Sequence, residues 1–506
     1  MMMVNIVWLK RDLRLTDHRP LVEACRNGGP VLLLYVLEPS VWQAGDLSRR
    51  HLDFVRESIE AMQEKLRERG TPLYAISGEM IETVLPALYD TYGAFTLYAH
   101  EEHGTPDTYK RDEAVRRWIK ERGLSFYEYA PFGVRRGTSG REQFAAQWKQ
   151  AMERPLYDAP DHLPPPETVP PGFSKNVQHV LQLETVPGES IRYGQEGGEG
   201  PAADSLLSFL EERHVHYEHH IGRPLAAGLS CSRLSPYLAF GSISLPAVVQ
   251  KTNEALDQMP DPADRRPLEA FRSRLVWHCH FIQRLETEPE IAHTSIQPAF
   301  DQLERETADE PYERWLHGET GIPMIDACMK QLWKTGWLPF RMRAMLVSFV
   351  THTLFYDWRR PAEDLARLFL DYEPGIHFSQ VQMQAGTTGF NTIRIYNPVK
   401  QGRDQDPDGH FVKRLLPALN NVPVSYIHEP WKDPHFFHRN YPGPVVDIQQ
   451  ANRRARKLLW DVKEAHAASR ETKDAMAKHA SLRKAPPENK KPSSEQLQLF
   501  DPEKME

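Results

Sequence analysis

The first quarter of the chain alternates two hydrophobic patterns. The short apolar runs NIVWL, PVLLLYVL, PLYAIS, AFTLYAH and LSFYEYA have strand length. Between them, HLDFVRESIEAMQEKLRERG and TYKRDEAVRRWIKERG repeat apolar residues at helical spacing. Each of these ends on a glycine suited to the left-handed turn that closes a helix. Strand–helix alternation over residues 4–130 predicts a doubly wound parallel sheet, an α/β domain. Residues 151–200 are rich in Pro, Gly and Glu and predict a long surface linker. From 201 to 465 the periods are helical, so an all-α domain is expected. After 465 the polar stretch KHASLRKAPPENKKPSSEQ lacks the apolar residues of a core and predicts a disordered tail. The expected division is 1–130, 131–200, 201–465 and 466–506.

Composition narrows this picture. The chain has 506 residues, 40% hydrophobic and 26% charged, enough for two or three domains with a large core. The longest apolar runs are too short to span a bilayer, and the start MMMVNIVWLKRD has no signal-peptide order. A cytoplasmic monomer without membrane contact is the expectation. Cys25, Cys231, Cys279 and Cys328 lie far apart with no CxxC spacing, so no metal centre is expected. The net charge of −7 gives no global sign of nucleic-acid binding, but a net charge hides local patches. One patch is RRPLEAFRSR, with Arg265, Arg266, Arg272 and Arg274; on composition alone it is a solvated helix face. No GxGxxG follows the first strand, so the dinucleotide fingerprint is missing.

SRLVWHCHF, residues 273–281, concentrates candidate chemistry. As a helix over 271–285 it places Phe271, Leu275, Cys279 and Ile282 on one apolar stripe, which makes Cys279 a buried small hydrophobe. Arg274, Trp277, His278 and Phe281 share another face. His278 and His280 point about 200° apart and cannot chelate one ion. What remains is an aromatic platform beside a cation, with plain core packing of Trp277 as the alternative. In SCSRLSPYLAFGSIS, Ser235 before Pro236 predicts a helix N-cap, and Ser232 and Arg233 add donors suited to an anion. An ordinary cap is the bland reading. GWLPFRMRAMLVSF sets Arg341 and Arg343 in an apolar helix, where an unpaired charge costs roughly 3–5 kcal/mol. Asp371 and Glu373 downstream are partners, in a structural ion pair if nothing more.

These residues belong to an ordered series: VWLKRDLRLTDHRPL, SRLSPYLAFGSIS, GETGIPMIDACMKQLWKTGWLPFRMR, DWRR, IRIYNPVKQGRDQDPDGHFVKRLLPAL, HEPW and YPGPVVD. From Val4 to about Lys463 the chain resembles the photolyase/cryptochrome family. The resemblance implies an α/β antenna domain followed by an all-helical domain that binds FAD in a U shape. Tyr217, Cys231, Ser232, Arg233, Leu234 and Ser235 match positions at the flavin phosphates and adjoining groups, with Cys231 in place of the usual Thr. Arg343 and Asp371 match a buried pair beside the flavin ring. Tyr372, Glu373 and His377 complete the cofactor set. Trp277 matches the tryptophan that stacks on a flipped-out lesion, where a base gains about 1–3 kcal/mol from an aromatic face. Arg274, His278, Phe281, Phe340, Arg341, Met383 and Asn397 are further residues expected to face DNA. Trp277, Arg343, Asp371, His377 and Trp358 are expected to serve the reaction. The implied activity is light-driven splitting of pyrimidine dimers in UV-damaged DNA by an electron from reduced FAD, with the cyclobutane dimer preferred to the (6–4) photoproduct. The alternative is a blue-light photoreceptor of the cryptochrome type, without repair.

The chain departs from the family pattern in several places. Arg274 stands where a Glu is common, and it cannot accept a hydrogen bond. His377 stands where an Asn faces flavin N5; it either tunes the flavin or is a satisfied polar wall residue. Val381 and Met383 replace common tryptophans. Of the usual three-tryptophan wire only Trp358 remains, and Tyr356, Tyr372, Tyr396, Trp333 and Trp337 are open as substitutes. Asp107 and Thr108 stand roughly where a folate site has Asn-Glu, so a second pigment, whether folate, deazaflavin or another, is open. At the far end Gln496, Leu497, Leu499 and Phe500, within QLQLF, resemble the peptide that docks on the bacterial sliding clamp.

Overall fold

In the computed structural model, which describes residues 3–137, 143–182, 186–438, 440–467 and 469–479, the five apolar runs form one sheet. The strands are β1 Val4–Leu9, β2 Val31–Leu37, β3 Leu73–Ser77, β4 Phe95–His100 and β5 Ser125–Tyr129. Their order is β3-β2-β1-β4-β5, and every pairing is parallel. Helices α1 Arg19–Arg26, α2 Arg49–Arg67, α3 Leu85–Tyr92 and α4 Pro106–Glu121 cover both faces. Successive strand residues feed opposite layers. Val7, Leu9, Leu33 and Tyr35 pack with Leu52, Phe54 and Val55 of α2. Ile6, Trp8, Leu32 and Leu34 pack with Leu85 of α3 and Val115 of α4. The two predicted helices close on their glycines: Gly70 and Gly123 take φ values of 69° and 66°. Beyond them, Thr71 N–H returns to Leu66 C=O and Leu124 N–H to Ile119 C=O.

The expected surface linker is a correction. Phe144–Glu153 is a helix, α5, with Phe144, Trp148 and Met152 buried. Further on, Leu163, Val177, Leu181 and Val186 enter the core of the α/β domain. Val31 N–H donates to Pro164 C=O, and Ser174 bridges Ala75 beside β3. This Pro-rich chain is wrapped onto the sheet by a few irregularly spaced apolar residues, which periodicity does not register.

Among the described residues no strand follows β5. The helices that build the second domain's site are α6 Ser235–Ala239, α7 Pro262–Thr287, α8 Phe340–Ser348, α9 Arg359–Leu368, α10 Pro374–Ala385, α11 Pro398–Gln405 and α12 Ile448–His466. A final helix, α13 Arg470–His479, corrects the expectation of disorder from 466. Its Thr472 is buried and accepts from Gln297 Nε2 at 2.6 Å. Residues 480–506, with Gln496, Leu497, Leu499 and Phe500, lie outside the described residues. No described helix is long and apolar enough to cross a membrane.

The two domains meet where α9 ends. The last carbonyls of a helix have no partner within it. Here the start of α2 supplies them: Ser48 Oγ donates to Arg367 C=O at 2.6 Å, Arg50 to Leu368 C=O at 2.7 Å and the His51 ring to Phe369 C=O at 2.8 Å. The α/β domain thereby fixes the segment 369–373, which carries the acidic half of the site.

Candidate functional site

The centre of the site is one ion pair. Arg343, on α8, meets Asp371 with two parallel hydrogen bonds of 2.9 and 2.7 Å. Its Nε donates to Leu338 C=O at 2.7 Å, and its guanidinium lies 4.1 Å over the Phe369 ring. Burial alone would raise the Asp371 pKa. The Arg343 guanidinium outweighs burial, aided by Ser235 and Arg233, and holds the carboxyl below its ordinary range. The predicted pairing is present.

Ser235 plays a different part from the one expected. It is the first residue of α6, and the cap is Leu234, whose side chain makes no cap bond. The Ser235 hydroxyl goes to Asp371 instead. Arg233 takes a left-handed φ of 61°, strained for a residue with a Cβ. This aims its guanidinium 3.8 Å over Trp337, and burial lowers its pKa to about 10. Cys231 is a thiol with its pKa pushed up to about 12 by burial. Tyr217 is buried, and its phenol accepts from Arg274. Arg274 is therefore tied to the cofactor set as well as to the DNA set.

On α7 the stripe of Phe271, Leu275, Cys279 and Ile282 is buried as predicted. The other face divides. Trp277 is half-buried and packs against Phe281 at 5.4 Å. Phe281 is itself buried, a support for Trp277 and not a contact surface. His278 turns to Phe132 of the α/β side at 5.5 Å, away from Trp277, and burial lowers its pKa to about 4. His280 faces Phe144, so the two histidines diverge. Phe340 is 49% exposed, Arg341 and Met383 are half-buried, and Asn397 is exposed. The Asn397 side-chain oxygen caps α11, accepting from Val399 N–H and Lys400 N–H at 3.0 and 3.1 Å. The basic patch is largely matched by its own surroundings: Arg266 pairs with Glu218 at 2.9 Å and Arg265 with Glu269 at 3.4 Å.

His377, on α10, sits within the influence of both Arg343 and Asp371, and burial lowers its pKa to about 4. It lies 2.8 Å from Ala362 C=O through Nε2. A carbonyl only accepts, so Nε2 carries the proton and Nδ1 the lone pair. His377 is thus a neutral imidazole with one free acceptor. Its ring packs on Tyr372 at 5.2 Å. Tyr372 is buried, and its hydroxyl donates to Asp46 Oδ2 at 2.8 Å. Glu373 pairs with Arg11 at 3.3 Å, while burial raises its pKa. Trp358 is buried and donates to Ser295 Oγ at 3.0 Å. Glu373 Oε1, in a cleft with Arg11, and Ser379 Oγ on α10 are buried without a hydrogen-bond partner. Unspent buried donors and acceptors of this kind, with the Arg233 guanidinium near Asp371 and Arg343, suit a polar cofactor such as FAD.

Sequence reasoning missed Arg11 and Asp46. Arg11 donates to Ala239 C=O and Tyr372 C=O at 2.8 and 2.6 Å. It sits at the end of β1 beside a cavity of about 210 Å³ lined by Trp8, Tyr35, Glu38, Trp42, Arg111 and Tyr372, with Asp107 and Thr108 at its rim. This is the carboxyl-end crevice of a parallel sheet, where such folds bind ligands. Nearby, Asp12 gathers His100 Nδ1 at 2.7 Å and His18 Nε2 at 2.9 Å. The His18 Nδ1 accepts from Leu21 N–H, so its Nε2 holds a proton and offers no lone pair to a metal.

A parallel α/β domain docked on a helical domain with this charged wall, matched to an FAD-binding domain model, is the layout of a two-domain flavoprotein. Residues 5–131 match the family model for DNA photolyase, and residues 271–461 match the model for the FAD binding domain of DNA photolyase. The chain is 30% identical over 480 residues to a deoxyribodipyrimidine photo-lyase of Salmonella typhimurium, covering 89% of this chain and 97% of that one. It is 29% identical over 473 residues to one of Agrobacterium fabrum, covering 89% and 96%. Among solved structures, a class III photolyase from Agrobacterium tumefaciens superimposes with a TM-score of 0.80 at 26% identity, over 92% of this chain and 98% of that one. A Synechocystis cryptochrome shares the fold, with a TM-score of 0.77 at 23% identity over 90% and 98%. The chain belongs to the DNA photolyase family.

Proposed function

We propose that this protein repairs pyrimidine dimers in UV-damaged DNA under light, with the cyclobutane dimer as its preferred lesion. The observation that carries the reading is the bidentate Arg343–Asp371 pair within a matched FAD-binding domain of DNA photolyase. Bound and reduced, the flavin supplies an electron under illumination, which is chemistry of the cofactor itself. The chain does the rest. Arg343 and Asp371, with the Ser235 hydroxyl on Asp371, fix the charge at the ring, and Arg233 and Ser232 hold the polar groups beyond it. His377 offers a fixed Nδ1 acceptor. Half-buried Trp277, braced by Phe281, is a stacking face for a flipped base. Exposed Phe340 and Asn397 and half-buried Arg341 and Met383 are the further residues that face DNA. Arg274 donates toward the lesion from its place on Tyr217.

The test is illumination of the FAD-loaded, reduced protein with an oligonucleotide carrying one cyclobutane dimer or one (6–4) photoproduct, with dark controls. Light-dependent restoration of the cyclobutane lesion is expected. Restoration of neither, with reduced FAD bound, overturns the repair reading in favour of a photoreceptor. The cavity at the sheet's carboxyl end is the place proposed for a second, light-harvesting pigment, since aromatic Trp8, Tyr35 and Trp42 line it. Fluorescence of the purified protein from its native source checks it. Gln496, Leu497, Leu499 and Phe500 are proposed to dock on the sliding clamp. Deletion of 496–500 should abolish clamp pull-down, and unchanged pull-down ends that proposal.

A further inference from the structure

HVHYEHH, residues 214–220, sets four histidines in seven positions, and the candidate site uses none of them. Its last four residues form one helical turn, Tyr217–His220. His214 is spent elsewhere, buried with its Nδ1 on Phe209 C=O. His216 and His220 are four positions apart and so share one side of the turn. Their ring centroids stand 5.2 Å apart, with the planes tilted by 45°. A zinc ion about 2.1 Å from one nitrogen of each ring lies about 3.3 Å from each centroid, so a tetrahedral angle at the ion sets the centroids roughly 5 Å apart.

The surrounding bonds suit the same ion. His220 Nδ1 lies 2.7 Å from the hydroxyl of Ser230, which is buried. With Nδ1–H donating to that hydroxyl, Nε2 carries the lone pair. A ligating imidazole is ordinarily braced in this way. Burial, with the charges of His216, Arg223 and His219, lowers the His220 pKa. The ring is therefore neutral at neutral pH, the form that a metal binds. His219, exposed and close enough to act on His220, is available as a third ligand, and water completes the set. Glu218 is held by Arg266 at 2.9 Å.

We propose that His216 and His220 chelate one divalent ion of the zinc, nickel or copper class, and that this ion clamps the turn Tyr217–His220. Imidazole nitrogens select these ions over magnesium and calcium, which take oxygen ligands. Asp12, His18 and His100 also bring three ligand atoms together. Their nitrogens are spent, however, with His100 Nδ1 on Asp12 and His18 Nδ1 on Leu21 N–H.

The clamp acts through what the turn carries. Tyr217 lies between the two histidines, buried, with its phenol accepting from Arg274. Ile221 N–H and Arg223 N–H close the turn on Tyr217 C=O and His220 C=O at 2.9 and 2.8 Å. Gly222 then runs so close to Arg341 that a Cβ there would meet its Nε at 2.8 Å. An effect on the flavin rests on the proposed function, which puts Tyr217 at the cofactor; the ion site itself does not.

The experiment is a calorimetric zinc titration of the untagged, FAD-loaded full chain, stripped of metal with a chelator, together with amide hydrogen exchange. One zinc per chain should bind. His216→Ala changes an exposed side chain and should weaken binding roughly 10-fold or more, and Ser230→Ala about 10-fold, the scale of a lost brace. With zinc at about 100 times its Kd, exchange at Ile221 and Arg223 should slow up to about 100-fold, and flavin release should slow with it. Magnesium and calcium should do neither. No uptake by the wild type, or exchange unchanged at saturation, overturns the inference. So does wild-type affinity in the double variant His216→Ala/His220→Ala, which would put the ion on another group such as Asp12. Slower exchange with unchanged flavin release upholds the ion site and overturns the place of Tyr217 at the cofactor.

Discussion

At the scale of single residues the site depends on pairs that are costly to break. Asp371 keeps its charge inside the protein chiefly because Arg343 meets both of its oxygens. Arg343→Ala leaves that carboxylate buried and unmatched, with an expected loss of roughly 3–5 kcal/mol, checked by denaturant unfolding of the apoprotein. Trp277→Ala should act differently. It should leave folding nearly intact and reduce the preference for lesion over undamaged DNA about 10–100-fold, the equivalent of one lost base stack. A filter-binding titration against both DNAs reads this directly. That Arg343 has an acidic partner was legible in the sequence because a buried arginine must have one, but the choice of Asp371 over Glu373 came from the family resemblance and not from the residues alone. Tyr372–Asp46 was not, since its members stand 326 positions apart and neither belongs to a local pattern. Ser235 misled for a related reason: Ser-Pro ahead of a helix ordinarily caps it, but a buried carboxylate competed for the hydroxyl and won.

At the scale of elements, periodicity gave the strands and the long helices, because five buried parallel strands read as near-continuous apolar runs. It failed for the segment 151–200 and for α13. Their few buried residues, such as Leu163, Val177 and Thr472, are held by tertiary contacts with no period of their own. Between elements, the strongest dependence is the start of α2 on the end of α9. Buried Arg50 serves the carbonyls of Leu332 and Leu368 at 3.3 and 2.7 Å. Arg50→Ala strands both acceptors at the domain junction. The expected cost is about 1–3 kcal/mol. Because α9 leads into Asp371, the same substitution should speed release of flavin. Thermal unfolding and the rate of flavin fluorescence recovery on dilution should therefore move together. A loss of stability with no change in release would separate the junction from the site.

At the scale of the whole molecule, net charge is a poor guide, since the groups that respond to pH are inside. His51, His100 and His352 are fully buried, and burial lowers their pKa values to about 3, 3 and 4. Each is neutral in the folded protein and takes up a proton on unfolding once the pH is below its ordinary value of 6.5. The unfolded state then binds more protons, so stability falls as pH drops from about 6.5 toward these lowered values, at about 1.4 kcal/mol per pH unit for each group. Glu38 works in the opposite direction. Burial raises its pKa to about 7, so the folded state is the one that holds the proton from there down to its ordinary value of 4.5, which offsets part of the histidine slope, to which His278 and His377, lowered to about 4, also add. The balance predicts a thermal midpoint that falls steadily between pH 6.5 and 4.5 and more steeply below that, where the Glu38 contribution ends. His352→Gln should flatten the upper part of this curve by one proton's worth, since Gln keeps a donor for Ala385 C=O, 2.9 Å from the ring, and cannot titrate. Calorimetric scans of both proteins across this pH range measure the difference. Parallel curves would mean that His352 is protonated equally in both states.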